Sequence, residues 1–260
     1  MKELTGRLRA GSTWLAWLAA FGAPLWFAAA ALGAKFDLIG WRYALSTMTF
    51  SWGPNILFAT AGIGAAALVL SLIYRFVFGR MRGGWLAPVL ALAVAGTGLG
   101  YANHVRSTAQ SLPPIHDITT DTQNPPGFTQ ALIERRSQVE GVNSLDYASK
   151  TDPRSGDPLP VVQARAYPEI APVVLDSAPE IVFEAALGVA RDMGWRVPTA
   201  SRETGMFEAT DETFWFGFED DVSVRITPRE NGGSRVDIRS VSRVGVSDLG
   251  KNAERIREFE

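Results

Sequence analysis

The sequence of 260 residues contains no cysteine and only two histidines, His104 and His116. Without cysteine the chain forms neither disulfides nor a lipoprotein anchor, so an exported domain must fold on its apolar core alone. The scarcity of histidine argues against a serine hydrolase, because the nucleophile of such an enzyme needs a positioned base. The Gly-x-Ser-x-Gly elbow of many hydrolases is also missing from the sequence.

Charge is scarce in the first part of the chain. Residues 1–112 carry nine Lys and Arg and two Asp and Glu, a balance of +7, whereas residues 113–260 carry 16 and 25, a balance of −9. This split excludes one uniform globule and indicates a membrane part joined to an acidic soluble part. The acidic character of the soluble part argues against nucleic acid as a partner.

Three stretches lack charged residues altogether, at 12–33, 53–74 and 83–102. Each is close to the roughly 20 residues that a helix needs to cross a hydrocarbon core of about 30 Å. None shows the polar face of an amphipathic helix in a soluble protein. We therefore predict an anchor of three transmembrane helices in residues 1–105, with the lipid bilayer as its partner. The absence of ionisable residues inside the spans argues against an ion or proton pathway.

The basic residues beside the spans predict their orientation, since cytoplasmic loops are enriched in Lys and Arg. Six flank the N-terminus and the loop between the second and third spans, and three flank the opposite side: Lys2, Arg7, Arg9, Arg75, Arg80 and Arg82 against Lys35, Arg42 and Arg106. We expect a cytoplasmic N-terminus in an inner membrane and a periplasmic location for everything after Ala102. The first span could instead be a cleaved signal peptide, which would leave this topology unchanged.

Small residues recur inside the spans. Gly96 and Gly100 form a Gly-x-x-x-Gly motif in the third span, and Gly62 and Gly64 lie in the second. Such residues allow helices to approach closely. They predict either a compact three-helix bundle or a homo-oligomer that forms through these helix faces.

The segment 106–168 is rich in proline, which interrupts regular structure at Pro113, Pro114, Pro125 and Pro126. One short amphipathic helix is predicted after these prolines. Its apolar side holds Phe128, Ala131, Leu132 and Val139, with Arg135 and Arg136 between them. A polar surface loop is expected over residues 143–160.

Residues 169–260 have the pattern of an α+β core. A short strand in 170–175 precedes a helix that begins at Pro179 with a Ser177–Glu180 capping box and ends at Gly194. Strands are then predicted from Trp195, over 205–218, over 222–226 and over 235–239, with a hairpin turn at Asn231-Gly232-Gly233.

A last helix is predicted from Ser247, which caps it, with Asp248 in its first turn and Leu249, Ala253 and Ile256 facing inward. Two helices on one face of an antiparallel sheet make a two-layer α+β sandwich. The arrangement is similar to a helix-grip fold.

Two passages carry a resemblance to a known family. One is PPIHDITTDTQNPPGF, at 113–128, and the other comprises WFGFEDDVSVRI and VDIRSVSRVGVSDLGKNAERI near the C-terminus. With Tyr167-Pro168, Gly194-Trp195 and Glu208-Ala209-Thr210, they resemble the DUF1499 family of uncharacterised bacterial and plastid proteins over residues 113–258. The resemblance implies no activity, because the family has no assigned function.

The polar residues of these passages are the candidate binding residues: His116, Asp117, Asp121, Asp220, Asp221, Arg239, Ser240, Ser242, Arg243, Asp248 and Asn252. Strand parity places Ser240 and Ser242 on the core side with Ile238, and Asp237, Arg239 and Arg243 on the other side. The side chains on the core side therefore change from apolar to hydroxyl-bearing as the strand ends, which is typical of a cavity lining or a buried hydrogen-bond network.

Each candidate group has a structural alternative. The carboxylates Asp117, Asp121, Asp220 and Asp221 could bind Mg²⁺ or Ca²⁺, or cap turns and pair with arginines, with Asp220-Asp221 in a hairpin turn. Arg239 and Arg243 could bind an anionic headgroup, or pair with Asp237 and Asp248. The aromatic run 214–218, expected in a strand, could be a contact surface or pack under residues 127–165.

These observations predict a membrane-anchored protein whose periplasmic domain binds or scaffolds a cell-envelope component, either a lipid or a protein. Neither a cofactor nor a bound metal is expected, and no catalytic role. The alternative is a divalent-metal-dependent enzyme that acts on an envelope substrate.

Overall fold

The computed structural model describes residues 2–79, 84–230 and 232–260. The sequence predictions that involve Arg80, Arg82, Gly83 and Asn231 lie outside these residues. The chain forms two compact units, one of Met1–Ser107 with Trp215–Gly217 and the other of Thr108–Phe214 with Phe218–Glu260.

Three long helices make up most of the first unit: α1 Lys2–Lys35, α2 Gly53–Phe78 and α3 Leu86–Ser111. By length and composition all three are able to cross a membrane. A π-helical segment, Tyr43–Trp52, leads directly into α2, so the second apolar span begins ten residues before its predicted start at Gly53. The extension was missed because its serine and threonine residues resemble a loop, although the hydroxyls of Ser46 and Thr49 donate to backbone carbonyls of the preceding turn.

Small residues allow the helices of the first unit to pack closely. A Cβ atom at Gly64 would lie 3.1 Å from the Pro88 carbonyl oxygen, and one at Gly98 would lie 2.7 Å from Leu57 Cδ2. Alanines fill one crossing of the three helices: Ala16, Ala20, Ala67, Ala87 and Ala91. The predicted compact bundle is therefore built on glycine and alanine. A Cβ at Gly62, Gly96 or Gly100 would meet nothing within 4 Å, and a homo-oligomer through these faces stays a prediction.

The second unit contains a six-stranded antiparallel sheet. Its strands are β1 Asp117–Thr119, β2 Val173–Leu175, β3 Arg196–Ser201, β4 Met206–Glu212, β5 Glu219–Pro228 and β6 Ser234–Ser242. The order is β1-β6-β5-β4-β3, and β2 pairs with the first part of β6, on the same edge as β1. In register, Val222 lies opposite Ser240, and Asp117 opposite Val241.

Four helices accompany the sheet: α4 Gln130–Ser137, α5 Leu159–Ala166, α6 Pro179–Asp192 and α7 Lys251–Phe259. The apolar residues of α6 recur at helical spacing and are buried with those of α7 against one face of the sheet. Trp195 stacks on Phe259 in this core, with ring centroids 5.3 Å apart. The prediction of a helical anchor followed by a two-layer α+β domain is confirmed.

The starts of both α6 and α7 differ from their predicted form. Ser177 does not cap α6; the N-cap is Ala178, and the Ser177 carbonyl accepts a hydrogen bond from Ser234. Helix α7 begins at Lys251 rather than at Ser247, because Leu249 and Gly250 adopt left-handed φ angles of 55° and 85° that a helix cannot continue. Leu249 is consequently exposed rather than inward-facing, whereas Ala253 and Ile256 are buried as predicted.

The strand predicted over 205–218 ends at Glu212. Phe216 and Gly217 have φ angles of 65° and 64°, which turn the chain back towards β5. The aromatic run is therefore a turn, and exposure of Phe214 (72%) and Trp215 (54%) rules out its packing under residues 127–165.

Two further predictions are wrong. Asp220-Asp221 lies inside β5 and not in a hairpin turn, because the reversal is completed earlier, at Phe216 and Gly217. Two short helices rather than one lie between β1 and β2, since α5 begins at Leu159 and has Pro160 in its first turn, where proline suits a helix.

Candidate functional site

The candidate residues lie on both faces of the sheet, most of them at the end where β5 begins and β6 ends, whereas Asp121 lies beside Arg225 and Arg235, nearer the opposite end. Ser240 and Ser242 lie on the side of α7, and Arg239 and Arg243 on the opposite side, as strand parity predicted. We call the first group, with Asp220, Asn252 and Arg255, the helix-side network. The second group faces residues of 113–165 outside β1, which we call the covering segment. This group is called the covered-face network.

The helix-side network is a closed set of buried hydrogen bonds. Ser240 Oγ donates to Asn252 Oδ1 over 2.6 Å, and Asn252 Nδ2 donates to Ser242 Oγ over 2.9 Å. The same amide group donates to the His116 carbonyl oxygen over 3.1 Å. The hydroxyls at the end of β6 thus fix α7 and the chain before β1 to the sheet.

Arg255 of α7 completes this network, and sequence reasoning missed it. Its guanidinium donates to Asn252 Oδ1 over 2.7 Å and to Ser240 Oγ over 3.0 Å. It also lies 2.7 Å from carboxylate oxygens of both Asp211 and Asp220. The available signal was its position three residues after Asn252, which puts both side chains on one face of α7.

Asp221 lies at the centre of the covered-face network and is fully buried. Arg243 binds it bidentately, with Nε and Nη2 each 2.8 Å from one carboxylate oxygen. Arg136 Nη1 donates over 2.6 Å, and Thr210 Oγ1 donates over 2.8 Å. Glu219 also pairs with Arg243. Arg136 belongs to α4, so this ion pair attaches the covering segment to the sheet.

Asp117 is the second fully buried carboxylate of the covered face. Arg239 binds it bidentately over 3.0 and 2.8 Å, and Lys150 Nζ lies 2.5 Å from Oδ2. The Arg239 guanidinium also donates to the Leu145 carbonyl over 2.6 Å. It lies over the Phe128 ring, 5.3 Å from its centroid. Asp117 and Arg239 therefore hold the covering segment at several points.

Asp121 and Asp237 form a third group of ion pairs on this face. Arg235 contacts both carboxylates, over 2.7 and 3.0 Å, and Arg225 lies 2.9 Å from Asp237. The expected pairing of Arg239 with Asp237 is wrong, because Asp237 lies directly opposite Arg225 across the β5–β6 ladder.

The expected pairing of Arg243 with Asp248 is also wrong. The Asp248 carboxylate instead accepts hydrogen bonds from the backbone amides of Gly250 and Asn252, over 2.8 and 2.9 Å. It therefore satisfies amides at the start of α7. Burial raises the pKa of Asp248, and these two amides act against that rise.

Burial alone would raise the pKa of Asp117 and Asp221. The hydrogen bonds and charge of Arg239 at Asp117, and of Arg243 at Asp221, outweigh burial and lower both pKa values below the ordinary range. Both carboxylates are therefore ionised at neutral pH. Burial lowers the pKa of Lys150, an effect that the negative charge of Asp117 opposes.

Among the described residues the His116 ring is hydrogen-bonded to neither network, although its carbonyl oxygen joins the helix-side network. Its Nδ1 is 3.2 Å from the Val246 carbonyl oxygen. Its buried Nε2 has no hydrogen-bond partner among the residues that the structure describes. Burial lowers the pKa of this imidazole, assisted by the nearby charge of Lys150. No described serine hydroxyl is hydrogen-bonded to the ring, so the geometry does not form a nucleophile–base pair.

The four carboxylates considered as metal ligands do not converge. Each contacts a cation of the protein: Lys150 and Arg239 at Asp117, Arg225 and Arg235 at Asp121, Arg255 at Asp220, and Arg136 and Arg243 at Asp221. Within the described ranges, no three or more His, Asp or Glu side chains are grouped to hold a metal ion. The arrangement fixes charges in place and joins elements of the fold.

We expect acid to destabilise the domain through Asp117 and Asp221. Their pKa values are lower in the folded state, so the stability they contribute is present at neutral pH and is lost as pH falls below about 4. Asp221→Asn should cost about 3–5 kcal/mol at pH 7, because the buried guanidinium groups of Arg136 and Arg243 both lose the charge of Asp221, and only Arg243 keeps a second carboxylate, Glu219. It should also reduce the loss of melting temperature between pH 7 and pH 3, followed in the full chain by circular dichroism.

Asp157→Asn is the matched control, since Asp157 forms a largely exposed pair with Arg165. It should melt and respond to acid like the unaltered chain. An equal response to acid in the unaltered chain and in Asp221→Asn would contradict this account of the covered face.

The region that matches a known protein family coincides with the folded α+β domain. No curated protein matches the chain. A family model described as "Protein of unknown function (DUF1499)" matches residues 117–260. The match begins at β1 and includes both networks, and it covers more than half of the chain. The resemblance seen in the sequence is thereby confirmed, and the chain belongs to the DUF1499 family.

Proposed function

We propose that this protein is a membrane-anchored binding or scaffolding module, whose family domain lies on the periplasmic side and holds a lipid or protein of the cell envelope without catalysing a reaction. The observation that carries the proposal is that buried carboxylates of the domain bind arginines of the same domain. Asp117 and Asp221 are fully buried and bound by arginines. They stabilise the fold and are not presented to a substrate.

A general acid or base must reach the reacting atom directly or through one water. The carboxylates of the covered face lie beneath a segment that they themselves attach through Arg136, Lys150 and Leu145. Opening this face would separate buried charges from their partners, which is costly. This geometry favours a rigid domain that acts through its outer surface.

The outer surface offers apolar side chains near β2. Val174, Leu175 and Ile181 are 53%, 40% and 65% exposed, on β2 and in the first turn of α6. Exposed apolar side chains of this kind gain free energy when an amphipathic component covers them. We therefore place the binding of an envelope component at these residues.

The orientation in the proposal follows from the basic residues beside the spans. An alkaline phosphatase fused after Ser111 should be active, because that enzyme folds only after export, and a matched fusion after Arg75 should be inactive. Activity would be measured in whole cells and normalised to the amount of each fusion. The reverse pattern would overturn the periplasmic location and leave the membrane anchor intact.

Binding would be measured by hydrogen–deuterium exchange in the full chain in detergent, read in peptides from residues 117–260. A lipid extract of the cell envelope should slow exchange in the peptide that covers β2 and the start of α6, because bound ligand suppresses local opening. Ile181→Asp should remove this protection, and Glu203→Lys, a substitution of an exposed residue in the β3–β4 turn, should retain it. Slower exchange with Mg²⁺, Ca²⁺ or Mn²⁺, reversed by EDTA, would instead support a metal-dependent activity.

A further inference from the structure

The turn between β4 and β5, residues 213–218, presents aromatic rings at its tip. Its sequence is Thr-Phe-Trp-Phe-Gly-Phe, and we call it the aromatic turn. Phe214 and Trp215 are 72% and 54% exposed. Two adjacent exposed aromatic residues are unusual on a surface in water, because covering such large apolar side chains is favourable.

The aromatic turn is held in a defined shape despite an unfavourable backbone. The Thr213 amide donates to the Phe218 carbonyl over 2.8 Å, and the Phe218 amide donates to Thr213 Oγ1 over 2.9 Å. Phe216 adopts a φ of 65°, in the left-handed region that residues with a Cβ rarely occupy. The hydrogen bonds and the strained backbone thus give a defined shape to the turn that carries Phe214 and Trp215, and backbone strain of this kind is concentrated at functional sites.

Two carboxylates close to the turn pair with arginines. Asp211, at the end of β4, pairs with Arg255, and Glu219, at the start of β5, pairs with Arg196 and Arg243. Pairing lowers the cost of bringing acidic residues near a medium of low dielectric constant. The surroundings of the turn are therefore better suited to contact with lipid headgroups than the rest of the acidic domain is.

The chain enters the domain at the end of the sheet that carries the aromatic turn. The first residue of β1, Asp117, lies opposite Val241 near the end of β6, and the Arg243 amide donates to the carbonyl of Glu219, the first residue of β5. Only five residues separate the end of α3 at Ser111 from β1. Six extended peptide units span at most about 20 Å, so this end of the sheet is the one joined most directly to α3 along the chain.

We propose that the aromatic turn inserts Phe214 and Trp215 into the headgroup region of the bilayer that the apolar helices cross. Tryptophan is enriched at this depth because its ring is apolar and its N–H is polar. The inserted pair fixes the face that the domain turns towards the membrane. This inference rests on the membrane attachment in the proposed function, and it is independent of the side of the membrane and of any envelope ligand.

The absence of cysteine makes a direct test possible, because a single introduced cysteine carries the only spin label. Phe214→Cys and Trp215→Cys each leave the other ring in place, and Glu203→Cys labels the turn at the opposite end of β4. Each full-length variant would be reconstituted in vesicles of phosphatidylcholine and phosphatidylglycerol. Electron paramagnetic resonance then compares collisions of the label with oxygen, which dissolves in lipid, and with a nickel chelate, which remains in water.

The ratio of oxygen to nickel collisions should be several-fold higher at positions 214 and 215 than at position 203, in variants with unchanged melting temperature. An equal ratio at all three positions would overturn the proposal. Protection from both reagents at 214 and 215 would also overturn it, because it would show that protein covers the turn. A cytoplasmic location in the fusion experiment would disprove the proposed side of the membrane without altering this result.

Discussion

Burial of ionised carboxylates is the constraint on which the rest of the domain depends. A buried charge is tolerated only when a counter-charge and further hydrogen-bond donors surround it. Asp221 meets this condition through Arg136, Arg243 and Thr210, which come from α4, the end of β6 and β4. One side chain thus specifies the relative position of three elements.

The same constraint explains why a proline-rich segment with little regular structure packs in a defined way. The segment supplies donors and acceptors at separate points, including Lys150 to Asp117, the Gly127 carbonyl to Ser223, and Thr129 to Glu208. On the opposite face, Asn252 and Arg255 hold α7 to the sheet by the same means. The buried polar residues of the family domain therefore serve its architecture.

The parts of this structure that depend on a local sequence pattern could be predicted from the sequence. The spans were visible as charge-free runs, and the faces of β6 followed from the alternation of Ile238, Arg239 and Ser240. Which charged side chains form ion pairs could not be predicted, because the pairing depends on which strands lie side by side. Asp237 pairs with Arg225 across the β5–β6 ladder and not with Arg239 of its own strand. The aromatic turn was missed because its residues favour strands, while the left-handed backbone of Phe216 is set by tertiary structure.

A double-mutant cycle between Asp117 and Arg239 in the full chain tests most directly whether buried ion pairs hold the domain together. Asp117→Asn, Arg239→Gln and the double variant would be compared by denaturant unfolding of the domain, with Asp157 and Arg165 as the matched exposed pair. The account predicts a coupling energy above about 2 kcal/mol for the buried pair, and below about 1 kcal/mol for the exposed pair. A coupling energy for Asp117 and Arg239 no larger than that of the exposed pair would contradict it.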